Sequence, residues 1–284
     1  VGVYVVTGSA SGMGRAVVEK LRAAGHTVVG VDIRDAEVVA DLSTPQGRDD
    51  AVRKVLEQTE GHLDGAVLAA GLGPTPGKDR PRLIFQVNYR GVVELLDGWR
   101  AALAKSGEAK VVVFGSNSTT TTPAVPRRAI RALLSGDVDK AVRALRIFGS
   151  QAPSIAYGAS KIAVSRWARR NAVTAEWAGA GIRLNVLAPG AIRTPLLEKQ
   201  LATPAEAKLI NAFPVPIGGF GDPGHLADWV LFMLSESASF LCGSVVFVDG
   251  GSDAYFRADD WPTSVPLRRI VSYLKRFRGF RPLR

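Results

Sequence analysis

The chain has 284 residues, 46% of them apolar, which is enough for one large buried core and requires no second domain. No run of about eighteen apolar residues is present to span a membrane, and no secretory leader precedes the first apolar run, so a cytoplasmic protein is expected. One cysteine, Cys242, excludes an intrachain disulfide, and His26, His62 and His225 lack ligand spacing, so no metal is expected; the net charge of +10 instead raises the question of an anionic partner.

Val3-Tyr4-Val5-Val6 suits a buried parallel strand over 3–7. It leads into Thr7-Gly8-Ser9-Ala10-Ser11-Gly12-Met13-Gly14 and an amphipathic helix over 13–24. Glycines at such a strand-to-helix turn let the backbone approach a pyrophosphate lying on the helix N-terminus, so Gly8, Ser11, Gly12, Met13 and Gly14 are candidate cofactor contacts. Methyltransferases and other nucleotide folds also use such loops.

A second strand over 27–32 ends in Asp32, beside Ile33. A carboxylate here accepts hydrogen bonds from an adenosine ribose and repels a 2′-phosphate, which favours NAD over NADP, while Arg34 keeps NADP in view. A short third strand over 37–41 puts Asp41 and Leu42 beside the adenine. Ser43-Thr44-Pro45 is a helix start, with a hydroxyl cap and proline at the first helical position, for a helix over 45–60.

Strands over 64–69 and 110–115, then 182–188 and 244–249, alternate with helices over 80–104, 154–178 and 222–235. This alternation predicts an α/β fold, a doubly wound parallel sheet of the Rossmann type with helices on both faces. Binding then belongs at the carboxyl ends of the strands, where Asp32, Ala70, Gly71, Ser116 and Pro189 fall. In the helix over 154–178, Tyr157 and Lys161 are four residues apart and share a face. An ammonium beside a phenol favours the phenolate, the form able to exchange a proton with an alcohol or ketone.

The glycine loop, the acid ending the second strand, Tyr-x-x-x-Lys and Pro189-Gly190 after a late strand resemble the short-chain dehydrogenase/reductase family over residues 3–254. Residues 29–47, Ala70–Pro74 and Asp249-Gly250-Gly251 are similar to its bacterial 3α-hydroxysteroid dehydrogenase/carbonyl reductase group, and coniferyl alcohol dehydrogenases look alike. The resemblance implies that Ser116 holds the substrate oxygen, with Ser118 its rival. It implies that Tyr157 transfers the proton, that Lys161 lowers the tyrosine pKa and holds the nicotinamide ribose, and that Asn88 positions a water beside the lysine. By the same resemblance Ile192 and Thr194, after Pro189-Gly190, contact the nicotinamide carboxamide and pyrophosphate. A homo-oligomer, dimer or tetramer, is expected. The implied activity is interconversion of a hydrophobic steroid-like, cyclic or aromatic alcohol and its carbonyl compound; NADPH-dependent 3-oxoacyl reduction and a non-catalytic nucleotide sensor or surface-binding protein are the alternatives.

Two departures stand out. Ala69-Ala70-Gly71 replaces the usual Asn-Ala-Gly, and a helical insertion over about 119–150 separates Ser116 from Tyr157. Residues 1–118 carry 14 basic and 14 acidic side chains and 151–254 carry 8 of each, whereas the insertion has 6 against 2 and the tail 255–284 has 8 against 2. In the insertion, Ile130, Leu133 and Leu134, then Val138, Val142 and Leu145, predict a helical hairpin that is either a lid over an apolar pocket or a pad reshaping a subunit interface. In the tail, Leu267, Ile270, Val271, Leu274 and Phe277 form an apolar stripe beside Arg268, Arg269, Lys275, Arg276 and Arg278. Packing of this helix on its own chain or a sister subunit is favoured over peripheral membrane contact; nucleic-acid binding is not favoured, because no binding motif accompanies the charge.

Overall fold

Strand β1 (Val3–Thr7), helix α1 (Gly12–Ala23), β2 (Thr27–Asp32), β3 (Val38–Val39), α2 (Pro45–Gln58) and β4 (Gly65–Leu68) build the first half of the chain. There follow α3 (Arg80–Phe85), α4 (Gly91–Ser106), β5 (Lys110–Phe114), α5 (Ser118–Thr121), α6 (Arg127–Leu134), α7 (Val138–Arg143) and α8 (Ala152–Asn171). The chain continues through β6 (Arg183–Pro189), α9 (Pro195–Leu201), α10 (Pro204–Asn211), α11 (Pro223–Leu234), β7 (Val245–Val248), α12 (Ser252–Arg257) and α13 (Ile270–Arg278). This computed structural model describes residues 1–202, 204–260 and 264–283; residues 203, 261–263 and 284 lie outside it, as does the side chain of Phe277.

The strands are all parallel, in the order β3-β2-β1-β4-β5-β6-β7. Successive side chains on each strand face opposite ways. Val5, Val29, Ala66, Leu68, Val111 and Val113 enter the core under α2, α4 and α8, whereas Val6, Val28, Val67, Val112 and Phe114 enter the one under α1 and α11. This is the doubly wound α/β arrangement expected from the alternation of strands and helices. Strand order reverses between β1 and β4, so the loops after these two strands diverge and leave a crevice for a ligand.

Several boundaries differ from expectation for local reasons. The helix expected over 80–104 is broken by a π-helical turn, Gln86–Arg90, which holds Asn88. The helix expected over 154–178 stops at Asn171, and Thr174 takes an extended conformation before a separate π-helical turn, Ala175–Gly179. β3 is confined to Val38–Val39. Thr44 caps α2 as expected, its hydroxyl accepting the amide of Gly47 at 3.0 Å with Pro45 at the first position.

The insertion forms the expected hairpin, α6 and α7. Ile130, Leu133, Val138 and Leu145 are buried in the large core, with Leu134 and Val142 packed at its edge, and α6 lies on α8 while α7 lies on α3. Its apolar side is therefore consumed by the enzyme body. Arg127, Arg128, Arg131, Lys140 and Arg143 are left on the outside. In the tail, α13 forms where the stripe predicts a helix. Its Ile270, Val271 and Leu274 remain exposed, so packing of the stripe on its own chain is not what the fold adopts.

Candidate active site

The loop after β1 is closed by its glycines. A Cβ at Gly14 would lie 2.2 Å from the carbonyl oxygen of Gly8, and one at Gly8, where φ is 70°, would lie 2.8 Å from the amide nitrogen of Ala70. The β1 and β4 loops therefore meet backbone to backbone. Thr7 fastens them, its hydroxyl accepting the Ala70 amide at 3.1 Å. Asp32 braces the same loop from the end of β2: one carboxylate oxygen accepts the Ala10 amide at 3.0 Å and the other the Ile33 amide at 2.7 Å.

Between these loops lies a cavity of about 510 Å³ lined by Gly8, Ser11, Gly12, Met13, Gly14, Asp32, Ile33, Asp41, Leu42, Ala70, Gly71 and Thr194. The cradle fits a dinucleotide, with amides and small residues at one end and a carboxylate and the exposed Ile33 at the other. Arg34 does not line it. The side of the cavity also uses residues that the sequence did not single out. Arg80 donates twice to the carbonyl of Gly73, at 2.9 and 2.7 Å, and Leu72, Leu83 and Val87 supply apolar wall. Arg80 carried no signal beyond the start of a helix, whereas Val87 adjoins the asparagine already noted.

Pro189 ends β6, and Gly190 donates its amide to Val248 at 3.1 Å. Ile192 is buried and bridges to Gly221, lining a hollow with Val248 and Asp249. Thr194 does reach the loop, its Cγ2 lying 3.4 Å from where a Cβ on Gly12 would stand.

Ser116, Tyr157 and Lys161 meet where β5 ends against α8. The Ser116 hydroxyl accepts the amide of Ser118 at 3.1 Å, which leaves its proton for the hydrogen bond it shares with Tyr157. Ser118 is thus a support for Ser116, and its own hydroxyl is buried without a partner. Lys161 is buried, donates to the carbonyl of Phe114 at 2.7 Å, and sits 5.8 Å from the centre of the Tyr157 ring.

The charge balance departs from expectation. Burial pushes the Tyr157 phenol above its ordinary value, and the hydrogen bond from Ser116 only partly opposes this. Burial brings the Lys161 ammonium down to about 8. The lysine spends its short hydrogen bond on the backbone carbonyl of Phe114. At the phenol, desolvation outweighs the hydrogen bond.

Asn88 is wholly buried in the π-helical turn. Its Oδ1 accepts the Leu72 amide at 2.7 Å, its Nδ2 donates to the Leu72 carbonyl at 3.0 Å, and Nδ2 also reaches the Ser160 hydroxyl at 3.5 Å. Its direct work is to hold the β4 loop against α8. A Cβ on Gly71 would meet both Asn88 Oδ1, at 3.5 Å, and Lys161 Nζ, at 3.9 Å, so this loop joins the cavity to Asn88 and Lys161.

A parallel sheet whose order reverses at this crevice is the frame of a nucleotide-binding α/β protein. The chain belongs to the short-chain dehydrogenase/reductase family: residues 2–126 match its short chain dehydrogenase model, and residues 140–253 match the model described as Enoyl-(Acyl carrier protein) reductase. The two matches leave most of the hairpin between them. The chain is similar to 3-alpha-hydroxysteroid dehydrogenase/carbonyl reductase of Comamonas testosteroni, 39% identical over 90% of this chain and 98% of that one. It is also similar to coniferyl-alcohol dehydrogenase of Pseudomonas sp. strain HR199, 30% identical over 87% and 94% of the two chains. The crystal structure of 3-alpha-hydroxysteroid dehydrogenase from Pseudomonas sp. B-0831 complexed with NADH superposes with a TM-score of 0.84 at 44% identity, covering 90% of this chain and 99% of that one.

Proposed function

We propose that this oxidoreductase interconverts a hydrophobic alcohol, steroid-like, cyclic or aromatic, and its carbonyl compound, using NAD. The observation that carries the reading is the gathering of Ser116, Tyr157 and Lys161 where β5 ends against α8, set one loop away from a cavity with Asp32 at its far end. Asp32 supports NAD because a carboxylate there repels a 2′-phosphate, and the similar Pseudomonas enzyme was crystallised with NADH. Residues 1–254 are the catalytic domain in this reading, the hairpin at 119–150 and the tail at 255–284 are additions to it, and the active form is a homo-oligomer.

Gly8, Ser11, Gly12, Met13 and Gly14 would hold the pyrophosphate, Asp32 and Ile33 the adenosine ribose, Asp41, Leu42 and Ala70 the adenine, and Gly71, Lys161, Pro189, Gly190 and Thr194 the nicotinamide half. When bound, the nicotinamide supplies the hydride acceptor for oxidation or donor for reduction. Ser116 holds the substrate oxygen. Tyr157 takes the hydroxyl proton in oxidation and returns it in reduction, as a general base and acid. Because burial favours the neutral phenol, Tyr157 rests ready to donate, and its ionisation depends on bringing positive charge close. Lys161 Nζ is the cation within reach of the ring.

The test is an absorbance assay at the NADH band, with NAD or NADP against hydroxysteroids, aromatic alcohols and simple cyclic alcohols. Turnover of a cyclic or aromatic alcohol with NAD, and much less with NADP, is the expected result. Preference for NADP, or turnover confined to carrier-bound oxoacyl groups, overturns it.

A further inference from the structure

The two basic additions, far apart in sequence, meet in space. Helix α6 lies along α8, and the end of the tail comes back to the turn that follows α8, where Leu283 Cβ lies 3.6 Å from where a Cβ on Gly179 would stand. On the outer side of α8, Arg166 lies within the electrostatic reach of Arg170 on its own helix, Arg127 at the start of α6 and Arg269 at the start of the tail helix. Helical spacing puts Arg127, Arg128, Arg131 and Ser135 on one face of α6. That face opens into a hollow of about 600 Å³ whose rim is Arg128, Arg131, Lys140 and Arg143. Among the described residues, Arg127, Arg128, Arg131, Arg166, Arg170, Arg268 and Arg269 form no ion pair with a carboxylate. Residues 1–118 and 151–254 are each charge-balanced, so the positive excess lies in the two additions.

The same flank carries apolar side chains that nothing covers. Leu267 is 85% exposed and Val271 65%, with Ile270 and Leu274 beside them on one side of α13 and Lys275, Arg276 and Arg268 turned to the other. Cations interleaved with exposed aliphatic side chains match a headgroup layer with acyl chains beneath it. A second copy is a poor occupant, because a two-fold contact sets each patch against its own equivalent and brings Arg127, Arg166 and Arg269 against arginines. Nucleic acid is a poor occupant too, since no binding motif accompanies the charge.

We propose that α6, α7 and α13 form one docking face for an anionic lipid bilayer, with the arginines on the headgroups and Leu267, Val271 and Leu274 at the acyl boundary. This inference does not depend on the identity of the substrate.

The full-length protein is to be co-sedimented with phosphatidylcholine vesicles, with and without phosphatidylserine, and with single-stranded RNA as a competing polyanion. Partition onto the phosphatidylserine vesicles, weakened by salt and absent on phosphatidylcholine alone, is expected. At about 1 kcal/mol per basic side chain, reversing the hairpin pair (R128E/R131E) or the tail pair (R269E/R276E) should each lower partition at least about tenfold. V271S/L274S should also lower it while leaving every charge in place. All these positions are exposed, and unchanged circular dichroism and thermal unfolding show that the variants fold. Binding indifferent to phosphatidylserine, or unaffected by the hairpin pair, overturns the proposal. So does retention on RNA without retention on vesicles, or a change of oligomeric state as the sole effect of the substitutions.

Discussion

Asn88 grips both backbone polar groups of Leu72, accepting the amide at 2.7 Å and donating to the carbonyl at 3.0 Å from a fully buried position. This contact ties the loop after β4, one wall of the cofactor cavity, to the helix carrying Tyr157 and Lys161. Asn88→Ala leaves two part-buried backbone groups of Leu72 without this partner, a loss of at least about 1 kcal/mol by the usual cost of such groups. Denaturant unfolding should show that loss, and the cofactor KM should rise. Unchanged stability with a fall in kcat alone would instead place Asn88 in the proton path and not in the scaffold.

Removing the phenol oxygen separates chemistry from binding. Tyr157→Phe keeps the ring and its packing, so NADH affinity, read by fluorescence titration, should stay within about twofold while turnover falls by at least about 10². A variant retaining most of its activity counts against Tyr157 as the acid–base group.

Ser116 and Ser118 are distinguishable by their hydrogen bonds. Ser116→Ala removes the partner of Tyr157 and the acceptor for the Ser118 amide, so kcat should drop about 10²-fold, the scale of losing one positioned donor at a reacting oxygen. Ser118→Ala deletes a buried hydroxyl that has no partner and should leave steady-state rates and stability nearly unchanged. The reverse pattern would exchange their roles.

Lys161 gives a pH signature without any substrate. Its folded value is near 8, below the ordinary lysine value of 10.5, so between these pH values the unfolded chain holds one proton more than the folded one. Stability must rise with pH across that window. Below about 8 the buried ammonium is charged in both states and its desolvation cost is fully felt. Chemical unfolding of the wild type relative to Lys161→Met should therefore show a gap that moves in favour of the wild type by up to about 3 kcal/mol as pH rises from 8 to 10.5. A pH-independent gap would mean that the lysine is better solvated than its surroundings imply.

Asp32→Ser acts at two levels. It removes the repulsion of a 2′-phosphate, and it deprives the Ala10 and Ile33 amides of their acceptor. Relative kcat/KM for NADP over NAD should rise at least about tenfold, with some loss of overall affinity because the glycine loop loosens. No change in the ratio would take Asp32 out of the ribose site.

The strands, the glycine loop, Asp32 and the Tyr157–Lys161 pair were legible because each rests on local pattern: period-two burial, glycine spacing, or neighbours on one helical face. The apolar faces of α6 and α7 were legible for the same reason. What covers them was not, since whether Ile130 and Leu133 close over a pocket or sink into the core depends on α8 and α3 being beside them. The π-helical turn at Asn88 escaped notice because one extra residue per turn leaves no mark on composition. The bridge of Ile192 to Gly221 was not legible, because that partner is fixed only by the tertiary fold. The direction of the Tyr157 shift could not be read from spacing either, because it is set by how much protein surrounds the ring.

The buried guanidinium of Arg48 joins segments beside the crevice. It donates to the carbonyl of Leu42 at 3.0 Å, to Gln86 at 3.3 Å and to the carboxylate of Glu94. Leu42 lines the cavity, Gln86 opens the turn that holds Asn88, and Glu94 sits in the first turn of α4. A single side chain on α2 thus acts as a strut between Leu42 in the cavity wall, the turn that holds Asn88 and the first turn of α4. One guanidinium therefore ties three separate segments of the chain into a common frame beside the crevice.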